Sequence, residues 1–232
     1  MFHSQFVDPS RKVVKPGQDL GGLSSTHSSS TTQKTLKRVI DVVGALIFFV
    51  AFGPLYVAVA LSVWLSGSGP VYYRQTRLGR NGKPFHVYKF RSMVANADRV
   101  LEEFLSKNAA ARVEWNNFQK LDNDPRIIPI GKFIRRFSLD ELPQFWNVLR
   151  GDMSLVGPRP CMESQCNLYG DAWTQYTAVR PGLTGLWQVS GRNNLTFAQR
   201  VALDKEYVTC WSLVLDGKIL LKTFRAVMVD GK

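Results

Sequence analysis

Residues 42–73 of the 232-residue chain carry no charged side chain, and nothing else in the sequence limits the fold so strongly. A bilayer core needs about 20 consecutive apolar residues to be crossed, and residues 42–65 are apolar over more than that length. A buried core helix is the alternative; the length favours insertion into a membrane. Lys34, Lys37 and Arg38 precede the segment, while Arg74, Arg77, Arg80 and Lys83 follow it. Both flanks therefore prefer the cytoplasmic side. Gly53 and Pro54 stand at the midpoint, where proline removes a helix hydrogen bond and glycine loosens the backbone. A helix broken there enters and leaves by one face, which satisfies both flanks better than a kinked span does. Other helices must then pack near the bend to re-satisfy its backbone.

The formal charge of +12 calls for an anionic partner. Nucleic acid, anionic lipid and phosphorylated small molecules all qualify, but a nucleic-acid module has no use for an uncharged stretch of bilayer length. Cys161, Cys166 and Cys210 form neither a zinc spacing nor an even disulfide set, which suits a reducing compartment. The three histidines are scattered; they offer no His-based triad, and His86 reads as structural. Residues 1–33 are rich in Ser, Thr, Gly and Gln without apolar periodicity, so they are expected to be a disordered arm.

Past the apolar segment, residues 71–78 and 85–91 read as two strands around a turn at Asn81-Gly82, a strongly basic hairpin. The stretch from Met93 to Lys120 has helical periodicity, with Val100, Leu101, Phe104 and Leu105 as a packing stripe. Asp122 to Arg126 is a turn-rich loop without the spacing of a calcium loop. Gly131 to Phe137 mixes aromatics with cations, as an interfacial segment does. Pro158 and Pro160 hold Arg159 between them, a way of aiming a guanidinium at phosphate. A glycine-rich run from Arg180 to Asn193 lets backbone approach a ligand, though it lacks a Walker lysine; Trp187 within it reads as core. Residues 196–209 form a helix bearing Asp204, Glu206 and Tyr207, and residues 212–229 an amphipathic helix suited to a membrane interface.

The chemistry is expected at Asp140-Glu141, two adjacent carboxylates among arginines. Ser138 and Glu141 have capping-box spacing, which puts Asp140 in the first turn of a helix, where the dipole and free N–H groups favour an anion. If Pro143 is instead the first helical residue, Asp140 lies in the approach turn. The plain alternative is that the pair only starts a helix. As a functional pair, Asp140 suits nucleophilic attack on phosphorus. Arg135, Arg136, Arg150 or a bound Mg²⁺ can offset the mutual repulsion, with Glu141 as a metal ligand.

Five stretches in this order resemble the bacterial sugar transferases, the monotopic phosphoglycosyl transferases: Lys89 to Met93, Asp124 to Arg126, Ser138 to Gln144, Gly151 to Pro160 and Pro181 to Asn193. The resemblance runs from about Lys34 to the C-terminus and is nearest to the short exopolysaccharide-initiating members. It implies transfer of a hexose 1-phosphate, galactose or glucose, from a UDP-sugar to undecaprenyl phosphate at the cytoplasmic face of the bacterial inner membrane. It also implies Asp140 as nucleophile, Glu141 as its Mg²⁺-linked partner, and Lys89, Arg91 and Arg159 in the site, with Asp204 and Tyr207 as further candidates. Members commonly bend the membrane helix at Ser-Pro, where this chain has Gly53-Pro54. The expected fold is mixed α/β and membrane-associated. It comprises an arm (1–33), a re-entrant helix (34–66) and a cytoplasmic catalytic domain (67–232) with a small β-hairpin and interfacial helices. The partners expected are the UDP-sugar, undecaprenyl phosphate and inner-membrane lipids, with no nucleic acid; a homo-oligomer is compatible with the sequence. Two rivals remain at this stage. One is a basic membrane adaptor, and the other is a phosphodiester hydrolase that passes an aspartyl-phosphate to water.

Overall fold

The computed structural model describes residues 31–67, 69–118, 121–191 and 195–226. The expected arm up to residue 30, Arg192 and Asn193 of the glycine-rich run, and the end of the last helix beyond residue 226 lie outside the described residues. Helix α1, Thr31–Leu65, starts three residues before the boundary drawn from composition. It is long and apolar enough to cross a membrane, and much of its apolar surface is bare: Val50 is 84% exposed. The expected interruption at Gly53-Pro54 is absent. Helical backbone continues through both, with Pro54 inside the helix and open space around Gly53.

Both ends of α1 are fastened to one body. Near its start Asp41 accepts from Ser154 Oγ (2.9 Å) and Leu155 N (3.0 Å), and Lys37 Nζ reaches Asp216 at 2.6 Å. Arg38 donates to the carbonyls of Val148 and Leu149. Midway, Phe48 stacks on Phe145 at 3.7 Å between centroids. Near the far end, Tyr56 packs on Phe90 and Val63 is fully buried with Phe90 and Ile134. The 22 residues from Asp41 to Val63 span about 33 Å as helix, and polar bonds hold each end.

Strands β1, Tyr72–Leu78, and β2, Pro84–Phe90, pair antiparallel from Tyr72↔Phe90 to Leu78↔Pro84. The turn carries positive φ at Asn81 and Gly82, as the Asn-Gly pair demands. The long helical stretch that follows is two helices, α2 (Ala97–Lys107) and α3 (Ala109–Phe118). Asn108 breaks it, because its side-chain oxygen takes the Ala111 N–H at 3.1 Å and caps the second helix. Leu101, Phe104 and Leu105 pack a small satellite core there with Ala111, Trp115 and Leu121.

Helix α4, Pro129–Arg136, and helix α5, Gln144–Arg150, flank the carboxylate pair. A parallel pair follows, β3 (Ser154–Val156) and β4 (Gly182–Thr184), in register Ser154↔Gly182 and Val156↔Thr184. Its backbones touch: a Cβ on Gly182 would overlap Gly157. Between the two strands run the short helices α6 (Cys166–Tyr169) and α7 (Trp173–Ala178). After β4 come α8 (Leu186–Ser190), α9 (Phe197–Thr209) and α10 (Leu213–Arg225). Thr196 and Gln199 form a reciprocal capping box on α9. The main core joins β3, α5, α8, α9 and α10 around Val148, Met153, Val156, Tyr207 and Ile219.

Candidate active site

The carboxylate pair sits on a 3₁₀ turn, Leu139–Glu141, wedged between α4 and α5. Ser138 enters it in the left-handed region (φ 56°), and its hydroxyl caps nothing. The expected capping box is therefore absent. Glu141 turns away from the backbone because two cations offer stronger charge-assisted bonds: Lys89 Nζ at 2.7 Å and Arg159 Nη2 at 3.1 Å, both to Oε1. Pro143 is the residue from which α5 starts, so Asp140 lies in the approach turn, the second of the two registers open to the sequence.

Three segments far apart in sequence deliver these groups. Lys89 comes from the end of β2, which α5 holds through Asn147. That fully buried carboxamide accepts from Tyr88 N (3.1 Å) and donates to His86 O (2.7 Å), completing the open edge of the strand as a third strand would. Arg159 comes from the loop after β3. Tyr176 of α7 pins that loop: its hydroxyl accepts from Cys161 N (2.9 Å) and lies 3.1 Å from the Arg159 carbonyl, to which it donates. Neither Asn147 nor Tyr176 was singled out from the sequence. The nearest signal was the Pro-Arg-Pro rigidity, which says that a loop is fixed but not by what.

Burial pushes the Glu141 carboxyl up, yet Arg159 and Lys89 outweigh it and hold the group at about 2. Burial pushes Asp140 above its ordinary 3.8; Lys89 and Arg135 pull it back, and the Glu141 charge pushes it up again. Asp140 makes no ion pair among the described residues. One carboxylate is thus saturated and its neighbour under-neutralised. Both face a cavity of about 2260 Å³, larger than the roughly 300–1,000 Å³ of an ordinary ligand pocket. Its lining combines apolar side chains, Phe48, Phe52 and Leu55 of α1, Phe133 and Phe137, and Leu221 and Phe224 of α10, with the cations Lys89, Arg135, Arg159 and Arg200.

Several sequence candidates stand elsewhere. Arg91 borders the cavity, but the residue is 6% exposed and its Nη2 donates to the carbonyls of Val63 (3.0 Å) and Gly67 (2.9 Å), closing the end of α1. Arg136 points to solvent over the Phe137 ring, and Arg135 takes the cavity side. Helix α4 buries Gly131 and Ile134, and that register separates the two arginines. Asp204 and Tyr207 are core residues. Asp204 accepts from Tyr169 at 3.1 Å, with burial raising it to about 7, and Tyr207 shares its one hydroxyl proton between Asp216 Oδ1 (2.8 Å) and Val156 O (3.0 Å). Gly53 and Pro54 lie in mid-helix, as described above.

A magnesium ion suits the pair. Mg²⁺ asks for one or two carboxylates and completes its shell with water and substrate phosphate, so the absence of any group of three or more potential ligands among the described residues is no obstacle. Asp140 and the second oxygen of Glu141 are the groups that would hold it, and a cation there would offset the charge that now raises Asp140.

The profile described as "Bacterial sugar transferase" matches residues 32–230. The chain belongs to the bacterial sugar transferase family. It is 48% identical to the exopolysaccharide production protein ExoY of Sinorhizobium fredii over 97% of this chain and 93% of that one. It is 47% identical to the undecaprenyl-phosphate galactose phosphotransferase of Salmonella typhimurium over 85% of this chain and 41% of that one. It is 40% identical to the Escherichia coli UDP-glucose:undecaprenyl-phosphate glucose-1-phosphate transferase over 84% of this chain and 40% of that one. The chain thus spans nearly all of the first relative and less than half of the other two. Family membership and the long apolar helix together mark a membrane-associated enzyme.

Proposed function

We propose that this protein transfers a hexose 1-phosphate from UDP-galactose or UDP-glucose to undecaprenyl phosphate, releasing UMP, as the first membrane step of exopolysaccharide assembly. The observation that carries the reading is the under-neutralised Asp140 beside a Glu141 locked by Lys89 and Arg159, in a cavity lined by both apolar side chains and cations. The relatives' names supply the donor and acceptor classes.

An Asp140 oxygen attacks the sugar-bearing phosphorus, and the bond from that phosphorus to the bridging oxygen breaks as UMP departs. A phosphate oxygen of undecaprenyl phosphate then attacks the same phosphorus and breaks its bond to Asp140, giving the diphosphate-linked hexose and restoring the carboxylate. UMP leaves as a phosphate with a second pKa of about 6, and the lipid phosphate is largely ionised at neutral pH. Neither step calls for a proton from the protein, in keeping with a cavity that no histidine among the described residues lines. Arg159 and Lys89 fix Glu141, and Arg135 supplies positive charge beside Asp140. Magnesium, when bound, contributes neutralisation of phosphate charge.

Both ends of α1 dock on the catalytic body, so the bilayer face that holds the body holds both ends. Basic flanks put that face on the cytoplasmic side of the inner membrane. In this reading α1 is embedded from that one face with both ends docked on the body, and Pro54 marks where its backbone bonding is weakest. The test is purified protein with each UDP-hexose and Mg²⁺, with and without undecaprenyl phosphate, following UMP and lipid-linked sugar. Lipid-dependent formation of the diphosphate-linked hexose is expected; a free sugar phosphate as the sole product would favour the hydrolase.

A further inference from the structure

Among the described residues two arginines place the guanidinium over a tryptophan ring, and they differ in one respect. Arg126 sits 4.9 Å from the centre of the Trp115 ring and is neutralised by a bidentate pair with Asp124 at 2.8 and 2.6 Å. Arg200 of α9 sits 4.8 Å from the centre of Trp187 on α8. Its Nε donates to the Leu195 carbonyl at 3.2 Å, and it forms no ion pair with any described residue. Asp204, one helical turn further on, is committed to Tyr169 inside the core. A guanidinium held by its face and by Nε is pre-oriented, with its two terminal amino groups left for a ligand.

Arg200, Trp187 and Arg159 border the same cavity. Strands β3 and β4 are parallel and end level at Val156↔Thr184. Arg159 is three residues past the first end and Trp187 three past the second, so both follow the carboxyl ends of the pair. Arg159 is already engaged by Glu141, and Lys89 with it; Arg126 is engaged by Asp124 and Arg99 by Glu103. Arg91 closes the end of α1. Arg135 stands beside Asp140, whereas Arg200 is a cation of the cavity lining held by Trp187 and the Leu195 carbonyl, with no carboxylate partner among the described residues.

We infer that Arg200, laid on Trp187, forms a second phosphate subsite in the cavity, apart from the Asp140-Glu141 centre. The inference rests on the phosphoglycosyl-transfer reading, which brings two phosphate-bearing substrates to this cavity. The subsite takes a phosphate in the plane of the guanidinium, from the nucleotide or from the polyprenyl acceptor.

The experiment compares wild type with Arg200→Gln and Arg200→Lys. It measures equilibrium binding of UMP and of inorganic phosphate, the KM values for UDP-hexose and for undecaprenyl phosphate, and Tm. Loss of a charge-assisted phosphate bond is expected to weaken one substrate by about tenfold to a hundredfold in Arg200→Gln, with partial recovery in Arg200→Lys and Tm unchanged. Weaker UMP binding with a higher donor KM assigns the subsite to the nucleotide; a higher lipid KM with UMP binding unchanged assigns it to the acceptor. Binding and both KM values within twofold of wild type overturn the inference. So does an equal loss on both substrates with a fall in Tm in both variants, which would make Arg200 a packing residue. A wild-type protein that releases no UMP from any UDP-hexose fails the functional reading instead. The UMP and phosphate binding arm needs no turnover and still decides the subsite.

Discussion

The Lys37-Asp41-Asp216 cluster and the Lys89-Glu141-Asp140 cluster contain the same three groups, one ammonium and two carboxylates. In the first, every carboxylate is filled by fixed donors. Asp41 takes Ser154 and Leu155, and Asp216 takes Lys37, Tyr207 and Trp211. Burial raises Asp41 as it raises Asp140, so the contrast lies in the fixed donors that meet Asp41 and Asp216, and the cluster fastens the start of α1 to β3 and α10. In the second, Glu141 takes both nearby cations on one oxygen, while Asp140 faces the cavity without an ion partner and is held above its ordinary range, chiefly by burial. A saturated cluster contributes rigidity; an unsaturated one is left with affinity for something absent from the chain. The difference distinguishes anchoring from chemistry more sharply than residue type does.

The largest effect is expected where the saturated cluster is opened. Asp216→Ala takes the carboxylate from Lys37, Tyr207 and Trp211 at once; Lys37 and Tyr207 fall back on the Val156 carbonyl and Trp211 loses its acceptor, so about 3 kcal/mol of stability should go with it, read as thermal or denaturant unfolding in detergent. Activity per folded molecule should stay near wild type. A variant of native stability would show that the Asp41 and Arg38 bonds hold the start of α1 without Asp216.

Next comes Glu141→Gln, which should lower kcat on the order of a hundredfold with the fold retained. It also tests the electrostatics by sign. Catalysis needs Asp140 ionised, so the acid limb of kcat/KM should lie above 3.8; removing the Glu141 charge frees Lys89 and Arg159 and takes away a repulsion, so the limb should move to lower pH. An upward move contradicts the arrangement. Stability runs separately: Glu141 is depressed from 4.5 to about 2 when folded. Its contribution is therefore full above pH 4.5 and is lost as pH falls toward 2.

The smallest effect belongs to Tyr207→Phe. The shared hydroxyl proton goes, but Asp216 keeps Lys37 and Trp211, so about 1 kcal/mol of stability should be lost with kcat within twofold. A large loss of kcat at unchanged stability would return Tyr207 to the active site.

Sequence reading reached what local chemistry decides. The hairpin follows from Asn81-Gly82, the start of α9 from Thr196 and Gln199, and Asp140-Glu141 stands out as an acidic pair among cations. It failed where the deciding partner is remote. Arg91 closes a helix end 28 residues earlier and Tyr207 meets a carbonyl 51 residues earlier; a motif gives such residues a neighbourhood without telling which way they point. Ser138 and Glu141 have the spacing of a capping box, but Lys89 and Arg159, arriving from other segments, outcompete the backbone for the carboxylate. Asn147 and Tyr176 carry no local signal, because each acts on a segment that only the fold brings to it.

The most direct test of the central claim is the intact mass of wild type and Asp140→Asn after incubation with UDP-galactose or UDP-glucose and Mg²⁺ in the absence of lipid. Wild type should gain one hexose phosphate that undecaprenyl phosphate then removes, and Asp140→Asn, folded with unchanged Tm, should gain none and lose turnover by roughly 10⁴-fold or more. Turnover by Asp140→Asn at the wild-type rate, or an active wild type that never carries the adduct, would contradict Asp140 as the nucleophile.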